Sequence, residues 1–345
     1  MPTQTVYRLT LENGIEGIHA HEEPIPTVTP DSVLIKIRAV ALNYRDIAIA
    51  TSKYLLPARE NVVPTSDMCG TIVELGSQVR GFAVGDAVIP PVTPDYLYGE
   101  FKKGIDAYGS IEDGMLREYV VLPAHVLTKV KVGRLGFEAW AGVVCTGATA
   151  WNSFYGERKL MPGDTVLIQG TGGVSITALA IARAAGARTI VTSSSDEKLE
   201  YVKSLGADHV VNYKTHTHWA AEVLRITEGH GVDHIIENGG PGTIEQSLES
   251  VASSGVISVI GFLDMNEGKQ PDVLVPALVG AVTIRGIRGG SKHQLEQLVK
   301  FVENKSVDLA VGKVFNFDRE GIVEAYKFVE AGKHIGKVVI SISQE

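Results

Sequence analysis

The chain has 345 residues, 44% of them hydrophobic and 21% charged, the composition of a globular protein with length for about two domains. A net charge of −8 with no basic run argues against a nucleic-acid partner but leaves room for an anionic cofactor held by a local patch. Two cysteines, Cys69 and Cys145, are too few for a Cys-rich structural zinc lobe and suit a reducing compartment.

The chain starts with "MPTQTVYRLT", which lacks a charged-then-apolar leader pattern. No apolar run nears the roughly 20 residues that cross a bilayer, so a cytoplasmic protein with no membrane partner is expected. Residues 32–42, "SVLIKIRAVAL", read as a strand, and Asn43, Tyr44, Arg45 and Asp46 end it with four polar side chains. "GTIVELGSQV", "GFAVGDAVIP" and "GSIEDGMLREYVVLPAHVLTKV" continue as short β-branched runs broken by Gly and Asp. Residues 90–109 have no period and read as a long loop. Its Tyr96, Tyr98, Phe101 and Tyr108 are expected to line or cover a pocket.

From about residue 145 the texture changes to strand and helix in alternation. "TVLIQG", "RTIVTS", "DHVVNY", "VDHIIENGG", "GVISVIGFL" and "VTIRGIRGG" are six candidate strands. Apolar runs without polar alternation suit strands buried on both faces of a parallel sheet, and the alternation predicts an α/β, doubly wound architecture. After Gly290, Leu295, Leu298, Val299 and Val302 mark an amphipathic helix capped by Ser291. A second helix follows Asp318 and stops at Gly332, and "GKVVISI" is a last strand returning to the first domain. The predicted division is 1–126 with 288–345 as a β-rich domain, and 127–287 as the domain of alternating strands and helices.

The strongest motif is a strand, a glycine turn and a helix in succession, "TVLIQGTGGVSITALAIA". Gly170, Gly172, Gly173 and Val174 form a turn whose backbone can approach a pyrophosphate at a helix N-terminus, with Ser175 at the third glycine position. The second strand of such a unit carries a carboxylate when NAD is bound. Here the strand ends in Thr192, Ser193, Ser194 and Ser195. Ser193, Ser194 and Lys198 are therefore expected to receive a 2′-phosphate, which selects NADPH; serines of this run also suit a helix cap. Tyr213 at the third strand end is a candidate adenine contact. Asn238, in "ENGG", and Gly261, Phe262 and Leu263, in "IGFL", end the next two strands, where ligands of open α/β sheets lie.

Taken in register, these stretches resemble the medium-chain dehydrogenase/reductase superfamily over essentially the whole chain. "GSQVRGFAVGDAVI", "VVCTGATAW", "LMPGDTVLIQGTGGVS" and "VKSLGADHVVNY" carry the likeness. The resemblance implies a GroES-like catalytic domain joined to a Rossmann domain with a six-stranded parallel sheet. Zinc members place a Cys, a His and a Cys at positions that here hold Asn43, Ser66 and Cys145; one soft ligand does not make a zinc site, so the zinc-independent branch is indicated.

"LNYRDIAIATSKY" is similar to a stretch of enoyl reductases, and quinone oxidoreductases share its Asn. That likeness implies NADPH-dependent hydride transfer to an activated C=C. It makes Tyr54 the candidate proton donor and Tyr44 the second, with Asn43 holding substrate or nicotinamide ribose. Arg45 and Asp46 are expected to fix the turn as a charge pair. Thr149 falls where relatives approach the cofactor, or caps a helix. Lys337 falls where relatives carry a base that reaches the pyrophosphate, or is a solvated surface lysine. Reduction of a plain ketone or aldehyde and an NADPH-binding sensor with little turnover remain alternatives. The partner is a small-molecule substrate, and family analogy implies a homodimer.

Overall fold

The computed structural model describes residues 2–102, 104, 106–263 and 271–342. In chain order the first part holds β1 (Thr3–Leu9), β2 (Ile18–Pro24), β3 (Ser32–Leu42), α1 (Tyr44–Ala50), β4 (Asp67–Leu75), β5 (Ala87–Ile89), β6 (Tyr119–Pro123) and β7 (Thr128–Lys129). After α2 (Gly136–Tyr155) come β8 (Thr165–Gln169), α3 (Gly173–Ala185), β9 (Arg188–Ser193), α4 (Asp196–Ser204), β10 (His209–Asn212) and α5 (Trp219–Ile226). Then follow β11 (Val232–Glu237), α6 (Ile244–Ser250), β12 (Val251–Val259), α7 (Leu274–Gly280) and β13 (Thr283–Gly286). The last part is α8 (Lys292–Lys305), β14 (Val311–Asn316), α9 (Arg319–Glu330) and β15 (Lys337–Ser341).

Two compact units result. One is Met1–Ala148, Gly290–Asn304 and Asp308–Glu345; the other is Thr149–Gly289 with Lys305–Val307. The division falls inside α2, not at residue 126. The first half of α2 packs within the first unit, where a Cβ at Gly142 would lie 3.3 Å from the Lys337 stem and one at Gly147 would lie 2.4 Å from Leu298. Glycine at both positions lets the helix approach.

The first unit is built on a sheet ordered β14-β15-β3-β4-β5-β7, with β6 also paired to β3, and on a β1-β2 ribbon. β14 runs parallel to β15; the other pairings of that sheet are antiparallel. The β1–β2 hairpin was not read from the sequence, because β2 is exposed along most of its length and has no apolar alternation. β3 buries Val33, Ile35, Ile37 and Val40 in a core shared with Ile322 and Tyr326 of α9. Residues 90–102 and 106–107 form no strand or helix, as expected. Tyr96 and Tyr108 are buried in it, however, while Tyr98 stays exposed, so two of its three tyrosines are packing residues.

The second unit is the six-stranded sheet β10-β9-β8-β11-β12-β13, parallel throughout. All five residues of β8 and five of the six in β9 are buried, the burial on both faces that parallel sheets require. α3 ends at Gly186 in the left-handed region, φ 84°, a helix stop that glycine provides without strain. Ser291 and Asp318 cap α8 and α9 through the backbone N–H groups of Gln294 and Gly321. Among the described residues no helix is long and apolar enough to cross a membrane.

Candidate functional site

In the first unit, three strand ends bring one polar cluster together. β3 stops at Leu42 and Asn43 is the N-cap of α1. Asp46 Oδ2 reaches back to accept the Asn43 N–H at 2.8 Å, so the polar stretch first serves to turn a buried strand into a helix. Arg45 lies 3.4 Å from Asp46 and donates to the Tyr108 carbonyl at 2.8 Å. Arg45 and Asp46 therefore hold the turn as a charge pair. Asp46 is 1% exposed. Burial pushes its carboxyl up to about 6, against the pull of Arg45 and the Asn43 N–H.

The Arg45 guanidinium sits 5.5 Å from the centre of the Tyr54 ring, within the range of a cation–π contact. Tyr54 is partly buried against the core, whereas Tyr44 is 48% exposed. Tyr326 brings a fully buried hydroxyl with no hydrogen-bond partner among the described residues, and burial raises its pKa well above the usual tyrosine value, with the Asp46 charge adding to it.

Lys337 is the largest departure from expectation. It is 4% exposed, neither a solvated surface lysine nor a group with donors left for a pyrophosphate. Its ammonium donates to the Leu42 carbonyl at 2.7 Å, to Asn43 Oδ1 at 2.6 Å and to Asp67 Oδ2 at 3.4 Å. Asp67 is fully buried and also accepts from Ser66 Oγ at 2.7 Å and the Cys145 N–H at 3.0 Å. Burial first, then the Asp67 charge, raises the Cys145 thiol to about 12, so it stays protonated at neutral pH. Sequence reading passed over Asp67; a carboxylate opening a strand directly before apolar residues, "DMCGTIVEL", was the available signal.

In the second unit, the glycine turn joins β8 to α3. Gly170 has φ 75° and Gly172 is the N-cap of α3. Gly173 and Val174 open that helix, so backbone N–H groups of a 13-residue helix face the turn. Ser175 does more than replace a small residue: its hydroxyl donates to the Gln169 carbonyl at 2.8 Å and lies 3.2 Å from Asn238 Nδ2.

Asn238 itself turns inward, its Nδ2 donating to the Gln169 carbonyl at 2.9 Å. Its Nδ2 therefore ties the turn to β11, an internal use that the sequence reading did not foresee. Gly261 faces the same residue: a Cβ there would lie 2.3 Å from the Asn238 carbonyl, so its glycine serves loop packing. Leu263 closes the contact through its N–H, 3.3 Å from the Asn238 carbonyl; Leu263 is 61% exposed, and Phe262 between them is half-buried.

Beneath these loops lies a buried carboxylate that the sequence reading missed. Glu237 Oε1 accepts from Gly239 and Gly240 N–H at 2.9 Å and from Thr243 Oγ1 at 2.5 Å. Its Oε2 accepts from Gln169 Nε2 at 2.6 Å and from the Ser247 hydroxyl. A charged residue closing the buried strand "VDHIIE" was the signal.

At the tip of β9, Ser193 is buried and its hydroxyl lies 3.4 Å from the Ser195 N–H. Ser195 caps α4 by accepting from the Lys198 N–H at 3.4 Å. Ser194 is half-buried between them. Asp196 is engaged by Asn212 Nδ2 at 2.6 Å. Burial holds the Lys198 ammonium below its usual value, with Glu197 opposing. Tyr213, 42% exposed, follows β10, and its N–H donates to the Ser193 carbonyl at 3.0 Å. Ser193, Ser194, Lys198 and Tyr213 thus share one corner. Thr149 is 3% exposed in the interior of α2 and caps no helix.

Residues 29–132 match the alcohol dehydrogenase GroES-like domain family, and residues 173–304 match the zinc-binding dehydrogenase family. A zinc-type alcohol dehydrogenase-like protein of Schizosaccharomyces pombe is 42% identical over 341 residues, covering 96% of each chain. This chain belongs to the medium-chain dehydrogenase/reductase superfamily. It is an oxidoreductase of that superfamily's two-part design. An alcohol dehydrogenase candidate from Sinorhizobium meliloti 1021 has a superposable structure, with TM-score 0.89, 34% identity and coverage of 99% of this chain and all of that one. An acryloyl-coenzyme A reductase of Sulfurisphaera tokodaii is 27% identical over 94% of this chain and 96% of its own. The sequence reading expects a cofactor at the glycine turn and a substrate at the β3–α1 junction. The two departures are the lysine buried at that junction and the carboxylate buried under the loops after β11 and β12.

Proposed function

We propose that this protein is an NADPH-dependent, zinc-independent reductase of activated C=C bonds in α,β-unsaturated carbonyl or quinone substrates. The observation that carries the reading is the set of groups at the β3–α1 junction. A neutral amide, a hydroxyl and a protonated thiol stand where a metal would need electron-pair donors. Asn43 Oδ1 is already engaged by the Lys337 ammonium at 2.6 Å, and Ser66 Oγ donates to Asp67. Zinc binds thiolate, imidazole or carboxylate, and among the described residues no group of three such side chains could hold a metal. These residues do not fit zinc, and no step runs through one. Reducing a plain carbonyl builds an alkoxide on one oxygen and calls for a strong electrophile, whereas an enone spreads the charge into an enolate that hydrogen-bond donors can stabilise. The likeness to an acryloyl-coenzyme A reductase supports the same choice.

The residues fit a phosphorylated dinucleotide. Gly170 in the left-handed region and the start of α3 make a cradle for a pyrophosphate. The corner of Ser193, Ser194 and Lys198 offers hydroxyls and an ammonium and has Asp196 turned to Asn212, which suits a 2′-phosphate better than a ribose hydroxyl. NADPH held by the glycine turn and this corner would supply a hydride to the β-carbon. The C=C electron pair then resides on the carbonyl oxygen as an enolate, and a proton returns to the α-carbon. Asn43 holds that oxygen, and Tyr54, under the Arg45 cation, is the proton donor.

We further propose a homodimer. α7 buries none of its residues, Leu274, Leu278 and Val279 are 79%, 81% and 81% exposed, and β13 is the outer strand of its sheet. A second copy would cover both.

The test is NADPH oxidation with a panel of enones, quinones and saturated aldehydes, before and after chelation. Turnover of enones or quinones but not saturated carbonyls, unchanged by chelation, is the expected result. Preference for saturated carbonyls, or one zinc per chain required for activity, refutes the reading.

A further inference from the structure

The Asn43 amide has two ends, and Lys337 decides which one it offers. An ammonium donates three hydrogen bonds and accepts none. At 2.6 Å from Lys337 Nζ the amide atom must be Oδ1, because a flipped amide would set its NH2 group against the cation. Nδ2 is thereby turned to the other side, where it is buried and has no hydrogen-bond partner among the described residues. A dry donor without a partner carries a desolvation cost that an acceptor on a bound ligand would offset.

The sheet builds this arrangement. β15 pairs antiparallel with β3, Val338 facing Leu42, so Lys337 falls beside Asn43. β4 lies on the other side of β3, with Asp67 facing Ala41, so its carboxylate meets the same ammonium. Asp67 is held in turn by Ser66 and the Cys145 N–H. α2 packs over the lysine stem at Gly142, where a Cβ would lie 3.3 Å away. A cation hydrogen-bonded to the amide oxygen also polarises the opposite N–H and strengthens it as a donor.

We propose that Lys337 is a positioning residue: it locks the Asn43 amide so that Nδ2 alone faces a ligand, making Asn43 a hydrogen-bond donor to the carbonyl oxygen that becomes the enolate. The identity of that acceptor rests on the C=C reductase reading above. The lock itself rests only on the geometry of Lys337, Asn43 and Asp67.

Three variants of the full chain test it. Asn43→Asp keeps the bond to Lys337 and replaces Nδ2 with an oxygen; kcat with an enone and NADPH should fall about 100- to 1,000-fold, the loss typical of one oxyanion donor, with melting temperature retained. Lys337→Met frees the amide and should lower kcat by at least about 10-fold with KM little changed, the pattern of a lost transition-state contact. Lys337→Arg, which keeps a cation and donors, should restore most of it. The fourth measurement needs no substrate: the side-chain 15N–1H pair of Asn43, identified by its loss in Asn43→Asp, should move in Lys337→Met and return in Lys337→Arg. If the wild type turns over enones but Asn43→Asp keeps kcat within about 3-fold, the donor role is overturned. If the amide pair of Asn43 is the same in Lys337→Met as in the wild type, the lock is overturned whatever the substrate. A wild type inactive with enones, with the amide pair shifting as expected, refutes the C=C reading and leaves the lock standing.

Discussion

His234 gives the six-stranded sheet an acid limit. It lies inside β11, 1% exposed, with both ring nitrogens buried and unpartnered among the described residues. Asp164 Oδ2 is 3.6 Å from Nε2, beyond hydrogen-bond range, and Phe154 meets the ring edge-on at 6.0 Å. Burial first, and Arg158 second, pull its pKa from 6.5 to about 4, against the opposing pull of Asp164 and Asp233. The unfolded chain therefore takes up this proton below about 6.5 and the folded chain only near 4. The unfolded state binds more protons in that window, so the contribution is full above the upper value and is lost as pH falls toward the lower one.

That gap is worth about 3 kcal/mol at 1.36 kcal/mol per pH unit. His234→Leu removes the titration at similar volume. For a unit of this size, about 3 kcal/mol shifts the melting temperature by roughly 6–12 °C. Calorimetric melting of both proteins from pH 7 to pH 4 should show the variant gaining that much on the wild type, since all other titrations cancel in the difference. A difference that stays within about 2 °C over the range would mean that the ring is hydrated or paired, and the reasoning would fail.

Glu237→Gln replaces an acceptor of five hydrogen bonds with a group that must aim N–H atoms at donors; a loss of about 3 kcal/mol in denaturant unfolding and weaker dinucleotide binding are expected. Lys198→Ala should raise the KM for NADPH about 10-fold, the worth of one charge-assisted hydrogen bond, and leave the KM for NADH unchanged; an equal effect on both would remove the 2′-phosphate role. Leu278→Asp sets a charge on the exposed face of α7 and should convert a dimer to a monomer in sedimentation analysis. A wild type that sediments as a monomer rules out that interface.

Much of this was legible before any coordinates. The six parallel strands announce themselves as apolar runs, because a strand covered on both faces has no room for polar alternation. The glycine turn is equally plain, since Gly170 sits at φ 75°, a backbone that other residues rarely adopt. The cap Ser291 and the start of the next helix after Asp318 were legible for the same local reason: a cap bonds to a backbone N–H three residues away, here those of Gln294 and Gly321.

What stayed hidden depends on contacts far apart in sequence. Lys337 in isolation is a lysine before a strand, and lysines are mostly exposed. Only the pairing of β15 with β3, and of β3 with β4, sets it between Asn43 and Asp67, 294 and 270 residues away. Asn238 was read as a ligand contact because it ends a strand where ligands bind, but its Nδ2 is engaged by the Gln169 carbonyl and the Ser175 hydroxyl. The exposed, non-alternating β2 exists because β1 pairs with it along its whole length. The sequence by itself determined the Rossmann sheet, its turn and its helix caps, all written in local pattern. The tertiary structure alone decided which polar side chains are spent inside the protein and which are left for a ligand, because hydrogen-bond partners distant in sequence are chosen only when the sheets close.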